Sequence, residues 1–270
     1  MLSALYSGIG HVIDYFTAEA PASSSSSSSE PHQPTMQDLI AVRTTLTKFV
    51  PPELAYIILD FANYWTSYSL ECTKSQSASA SMSPNTDATN IYLVSDPILP
   101  PNGIRVRGVQ FVVRSRDQGW CNDGNLRETY HGATWHEAAI LRPSTPQTSD
   151  VIRWLALNSP MELESSAIVA GYTPQLEVHS SWDAAKSRWL VQKNFTASYE
   201  SRTHSVSWYH DTGEKFAKND LDEQTGAGDG RGFVQLLTPG DRIALMVRAR
   251  YPGWVNHIER AAIIVYYALA

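Results

Sequence analysis

The chain has 270 residues and a mass of 30.0 kDa, with 43% apolar and 18% charged residues, enough apolar side chain to close a sizeable core. Fifteen glycines, fifteen prolines and two cysteines exclude collagen-like, disulfide-scaffold and wholly disordered classes. A net charge of −6 without any Lys/Arg cluster argues against nucleic-acid binding. Cys72 and Cys121 stand far apart and outside any C-x-x-C, which fits a reducing compartment. The expected location is the cytoplasm, with the nucleus as the alternative.

Residues 1–35 read as an N-terminal arm. Leu2, Leu5, Tyr6, Ile9, Val12, Ile13 and Phe16 recur with the 3.6-residue period of an amphipathic helix. The segment lacks the Lys or Arg of a signal peptide, and its polar breaks are too frequent for a membrane span. A membrane-surface role is disfavoured because the polar face carries no basic residues. Ser23–Ser29, seven serines flanked by Pro21, Pro31 and Pro34, read as a flexible tether.

Residues 36–71 carry helical periods. Leu39, Ile40, Val42 and Leu46 make one apolar set, and Leu54, Ile57, Ile58, Phe61 and Trp65 make another, so two short helices are expected to meet as a hairpin. Pro52 suits the first turn of the second helix and Glu53 complements the positive end of its dipole. The Ser/Ala/Thr-rich stretch 72–90 has no apolar period and reads as a linker.

From residue 91 the period becomes two. Arg242–Tyr251 sets Ile243, Leu245, Val247, Ala249 and Tyr251 on one face and three arginines on the other. Further strands are expected at 104–114, 134–141, 176–182, 188–195, 204–209, 233–237 and 258–268. A phase change at Gly108 predicts a β-bulge in the first of these. The fold class expected is mainly β: an antiparallel, jelly-roll-like β-sandwich over 91–270, preceded by a short helical segment.

Two loops draw attention because each follows a strand and joins Gly to Trp. The first holds Arg116, Asp117, Gln118 and Trp120, and the second holds Trp254 and Asn256. Together with Trp135 they offer planar polar groups and indoles suited to gripping a polar ligand. The packing alternative is that both tryptophans plug the ends of the core. The sequon Asn194-Phe195-Thr196 is a weak glycosylation signal without a secretory leader.

Other chemistry is sparse. His131 with His136, and His204 with His210, lack a third ligand at metal spacing, so solvated histidines are expected and no metal site or cofactor. Asp220–Gly230 resembles a calcium loop, yet its sixth and twelfth positions are Thr225 and Arg231, and a mobile acidic insertion is expected instead. No nucleophile elbow, P-loop, dinucleotide fingerprint or H-E-x-x-H occurs. Glu137 and Glu259 are a candidate carboxylate pair for glycoside cleavage, which needs two carboxyls about 5–10 Å apart.

Val50-Pro51-Pro52-Glu53-Leu54 followed by Ile57, Ile58 and Phe61 resembles the opening of the F-box, whose pattern begins Leu-Pro-x-Glu-Leu. The resemblance implies that Pro52, Leu54, Ile57, Ile58 and Phe61 face a Skp1-type adaptor. The segments around Asp117-Gln118-Gly119-Trp120, Thr134-Trp135-His136-Glu137, Gly240-Asp241 and Gly253-Trp254-Val255-Asn256 resemble a β-sandwich domain of uncharacterised fungal proteins; Arg116 and His136 depart from its pattern. The layout is also similar to F-box proteins whose C-terminal sandwich selects a substrate, sometimes through its glycan. The expected function is therefore non-catalytic recognition of a protein or glycan. A sugar-active hydrolase, or self-association or membrane action through residues 1–20, are the alternatives.

Overall fold

In the computed structural model, residues 33–83, 85–143, 172–174, 188–210 and 222–270 are described. The expectations for residues 1–20, for the serines 23–29, for the strand 176–182, and for Asp220 and Leu221 lie outside them. Two helices, α1 (Met36–Leu46) and α2 (Pro52–Phe61), precede ten strands: β1 (Thr66–Cys72), β2 (Gln76–Ser79), β3 (Asp87–Val94), β4 (Ile104–Arg116), β5 (Thr134–Pro143), β6 (Tyr172–Pro174), β7 (Trp189–Lys193), β8 (Arg202–Tyr209), β9 (Arg242–Arg250) and β10 (Val255–Leu269). A four-residue helix, α3 (Phe233–Leu236), sits between β8 and β9.

The strands form two antiparallel sheets, ordered β1-β10-β4-β8 with β2 also on β10, and β3-β9-β5-β6 with β7 also on β5. Counting β1 and β2 as one interrupted strand, and β6 and β7 likewise, gives eight strands ordered 1-8-3-6 and 2-7-4-5. That is a jelly roll, as the alternating pattern predicts. The inward residues of both sheets make one core, in which Phe111, Trp208, Phe233 and Trp189 meet edge to face with ring centroids 4.9–5.0 Å apart along the chain of contacts.

The bulge expected at Gly108 is present: Tyr266 pairs with Gly108 and Tyr267 with Val106, leaving Arg107 unopposed. Glycine is required there, because a Cβ would lie 2.5 Å from the Tyr209 ring.

Three expectations are corrected. The stretch 72–90 is no linker: β1 and β2 pair in succession along one edge of the long β10, and β3 pairs with β9. Its small side chains conceal this, since Ala78 and Ala80 point into the core where nothing larger is needed. The buried Tyr92 hydroxyl donates to the Cys72 and Lys74 carbonyls, 3.0 and 2.8 Å away, and fixes the link between β1 and β2. Residues 233–236 are a helical turn rather than a strand, with Phe233 and Val234 plugging the core. The described part of the acidic insertion, from Asp222, is tied to the sheet. Gly226 O accepts from Lys193 N and Gly228 N donates to Val191 O, so it extends the β7 edge, while Asp222 and Asp229 cap its turns.

The helical hairpin rests on one end of the sandwich. Thr35 and Asp38 form a reciprocal capping box that starts α1. Leu39 and Leu59 pack on Leu269 at the end of β10, with Tyr56, Tyr64 and Ile104 around them. Asp60 ties α2 to β4 by an ion pair with Arg107 at 2.7 Å and accepts from the Trp65 indole at 3.1 Å. Among the described residues, no helix is long and apolar enough to cross a membrane.

Candidate functional site

The two Gly-Trp loops do meet, at the opposite end of the sandwich from the hairpin. From Asn256 to Leu269 along β10 is thirteen residues, or roughly 40 Å of strand. The geometry corrects the role expected for most of the loop residues. Asp117 is fully buried and accepts from the backbone N–H groups of Gly119, Ala197 and Ser198 at 2.6–3.2 Å, stapling its own turn to the one before β8. Burial raises its carboxyl above the usual range, and the three donors oppose that rise. Arg116 donates to the Asp117 carbonyl, and the Gln118 amide spans Trp120 O and Val255 N. These groups hold loop to loop and present little to a ligand.

Asn256 is at the centre of a buried polar plug. Its amide donates to the carbonyls of Trp135 and Arg248 at 2.9 and 3.1 Å, bridging from β10 to the facing sheet, and its Oδ1 accepts from Asn194 at 2.8 Å. Asn194 in turn accepts from Ser115 and donates to Thr134. His136 completes the group: Nδ1 faces Gln192 O at 3.2 Å and Nε2 faces the Asn256 amide at 3.5 Å. A carbonyl accepts only, so Nδ1 carries the proton and Nε2 is the acceptor. The expectation of solvated histidines is wrong for His136, which is completely buried and held neutral, its pKa lowered to about 3 by loss of solvent. Asn194 and Thr196 are buried and bonded within this cluster, so the folded chain does not present the sequon.

Trp135 faces outward on β5, its indole donating to Glu137 and the Arg248 guanidinium lying 5.3 Å from its ring centre. Trp254 packs across Gly132 and Thr196 as part of the end plug. Trp120 alone of the predicted set stands half exposed, its ring over Gly253, with Tyr199 and Tyr251 exposed beside this end. Tyr199 was not anticipated, and Tyr251, expected on the inward face of the strand 242–251, lies past the end of β9 and is exposed.

The candidate carboxylate pair for hydrolysis, Glu137 and Glu259, lies on different sheets. Glu137 on β5 is paired with Arg248 at 2.7 Å, and Glu259 on β10 with Arg114 at 2.7 Å and Ser201. They cannot flank one bond. Among the described residues, no group of three or more His, Cys, Asp or Glu is placed to hold a metal ion.

The remaining surface feature is α2. Its apolar residues lie on opposite sides, with Glu53 and Asp60 along one edge, whereas only one side is packed: Ala55 and Leu59 are buried, with Tyr56 half-buried under Arg43. The residues singled out from sequence point away from the sandwich. Leu54, Ile57, Ile58 and Phe61 are 47%, 61%, 42% and 79% exposed, and Ile40 of α1 and Phe49 of the hairpin turn are exposed as well. Pro52 lies at the exposed start of the helix. An apolar helix is stable when both sides are covered, and a contiguous apolar patch on a surface marks an interaction site. Trp65, read as the last member of the stripe, leaves it; it follows the helix and packs on Tyr209 and Tyr266.

Compared with protein-family models and with curated proteins, the chain matches none.

Proposed function

We propose that this chain is a non-catalytic recognition protein whose helix α2 docks a protein partner, in its sharpest form a Skp1-type adaptor of a ubiquitin ligase. The observation that carries the reading is the outward apolar face of Leu54, Ile57, Ile58 and Phe61 on a helix whose other side is locked down. The Asp60 ion pair and the Leu39–Leu59–Leu269 contacts fix that face before any partner arrives, so little ordering entropy opposes binding. The F-box-like Pro52-Glu53-Leu54 opening supplies the adaptor identity.

Titration of purified full-length chain with a purified Skp1-type adaptor tests this. The expected result is saturable binding that weakens about 30-fold or more in Ile57→Asp, Phe61→Asp, as loss of buried interface anchors costs about 2 kcal/mol or more. Both side chains are exposed, so the fold survives the change. Equal affinity of wild type and variant, or no binding by either, would exclude the adaptor.

A protein or glycan ligand at the far end is a second element of the proposal, resting on the exposed rings of Trp120, Tyr199 and Tyr251. Rings seated on glycine backbone offer flat apolar faces of the kind that stack on sugars. Trp120→Ala should remove any signal seen on a glycan array; an array without signal would leave this end to protein ligands.

A further inference from the structure

We propose that the outer edge of β8 pairs antiparallel with β8 of a second copy of this chain, about a two-fold axis at Ser205, joining the two β1-β10-β4-β8 sheets into one. A strand at the edge of a sheet presents unpaired N–H and C=O groups, and folded chains break, bulge or cover such edges. The other three edges of this sandwich are treated in that way. The β1–β2 edge is interrupted between Cys72 and Gln76, β3 is bulged at Tyr92, and the β6–β7 edge is split, with Gly226 and Gly228 bonded along β7. β8 is different. Arg202–Tyr209 pairs with β4 over its whole length without a register shift, and it carries no Pro, Gly, Lys or acid. Among the described residues no strand lies on its other side.

The ladder shows which groups are left open. His210 N donates to Arg107 O at 2.9 Å, and the Trp208 carbonyl lies against Gly108, 3.0 Å from where a Cβ would stand. Antiparallel pairs alternate between bonded and non-bonded, so the even-numbered residues of β8 bond to β4, while Thr203, Ser205 and Ser207 turn N–H and C=O outward. None of these backbone groups has a partner among the described residues. The set is self-complementary. With Ser205 opposite Ser205 of the second copy, Thr203 faces Ser207 on either side of the axis, and every outward donor and acceptor of the three residues is bonded. Any other register leaves at least one of the three without its counterpart. In this register Glu200 lies opposite His210 of the second copy and Arg202 opposite Trp208 of the second copy, with the two arginines roughly 20 Å apart. No like charges meet. A contact along one strand of about 27 Å is smaller than the roughly 800 Å² per partner of a standard interface, so the dimer forms at micromolar rather than nanomolar concentration. The pairing does not involve α2 and stands independently of the adaptor reading.

Sedimentation equilibrium of the full-length chain between about 1 and 200 μM tests this by mass action. The average mass of wild type should rise with concentration from 30.0 kDa toward twice that value. Ser205→Lys and Ser205→Glu should each stay monomeric, because the axis sets every new charge against its own kind, and an equimolar mixture of the two should dimerise again. Ser205 is exposed and the change removes one hydrogen bond, from Gln110, so the fold survives. Ile57→Asp, Phe61→Asp should self-associate like wild type. Amide exchange locates the contact: Thr203, Ser205 and Ser207 should exchange near the free-chain rate in dilute wild type and about tenfold slower when concentrated, with His204 and Val206 protected throughout. A mass of 30.0 kDa at every concentration would overturn the proposal. So would protection of the three amides that ignores concentration, which means that the chain covers its own edge. Dimers that survive Ser205→Lys, or that the α2 variant removes, put the contact elsewhere and overturn it as well. A monomeric mixture of the Lys and Glu variants, each with wild-type Tm, overturns the axis at Ser205.

Discussion

Acidification from pH 6.5 to pH 4 should destabilise the sandwich by on the order of 5 kcal/mol, a loss comparable with the whole stability of many domains. The cause is two inward-facing imidazoles, His136 fully buried and His204 half-buried. His136 has its pKa lowered to about 3 by complete burial, and His204, directed inward opposite Val113, has its pKa lowered to about 4 by burial and by Arg202. In the unfolded chain both titrate near 6.5. Below that value the unfolded state takes up protons that the folded state refuses, so stability present above pH 6.5 is lost as the pH falls, and the loss ends only at the folded pKa. Each histidine contributes about 1.4 kcal/mol per pH unit. Geometry gives the same sign: a proton on Nε2 of His136 would face the Asn256 amide, donor against donor. Urea denaturation at pH 7, 5.5 and 4.5 measures the slope. His136→Gln, which keeps a donor and an acceptor but does not titrate, should remove about half of it. A midpoint constant from pH 7 to 4.5 would contradict the assignment of both histidines as shielded, neutral groups in the folded state.

Asn256→Ala should lower stability by about 3 kcal/mol or more, seen as a fall of about 6–12 °C in Tm. The alanine leaves the Trp135 and Arg248 carbonyls without the amide they accept from, and Asn194 without one acceptor, all inside the sandwich. Each unsatisfied buried group costs about 1–3 kcal/mol, and the lost volume adds to it. The loops joined by Asp117 lie at this same end, so Trp120 and Tyr199 should become more mobile in the variant, visible as changed tryptophan fluorescence before global unfolding. Wild-type Tm in Asn256→Ala would mean that water replaces the amide without cost and that the plug is no plug.

The fold was legible where side chains are large and alternate. β9 shows Ile243, Leu245, Val247 and Ala249 against Arg242, Arg248 and Arg250, and its neighbours follow from the same period. It was illegible where the strand is made of small residues: Ser77, Ala78 and Ser79 carry no hydrophobic signal, and their pairing is set by the length of β10 rather than by their own pattern. The histidine in the core was recoverable, since Thr134, His136, Ala138 and Ile140 share one face of β5. The loop residues were misread because Asp, Gln and Asn are the same groups whether they grip a ligand or tie one turn to another. Only the three backbone donors around Asp117 and the cross-sheet reach of Asn256 separate the two roles. On α2 the apolar set was plain, but a helix with apolar residues on opposite sides does not declare which side packs; Leu59 packs with Leu39 and Leu269, and Ala55 is buried on the same side.

The two ends of the sandwich thus divide the labour proposed for the chain: a rigid apolar helix at one end, and at the other an internally bonded loop cluster with a few exposed rings. The most direct test is a capture from cell extract on immobilised wild type beside Ile57→Asp, Phe61→Asp, read by quantitative mass spectrometry. The account predicts a Skp1-type adaptor among the proteins held by wild type and absent from the variant. The same set of proteins held by both would contradict it, leaving the outward face of α2 without a partner.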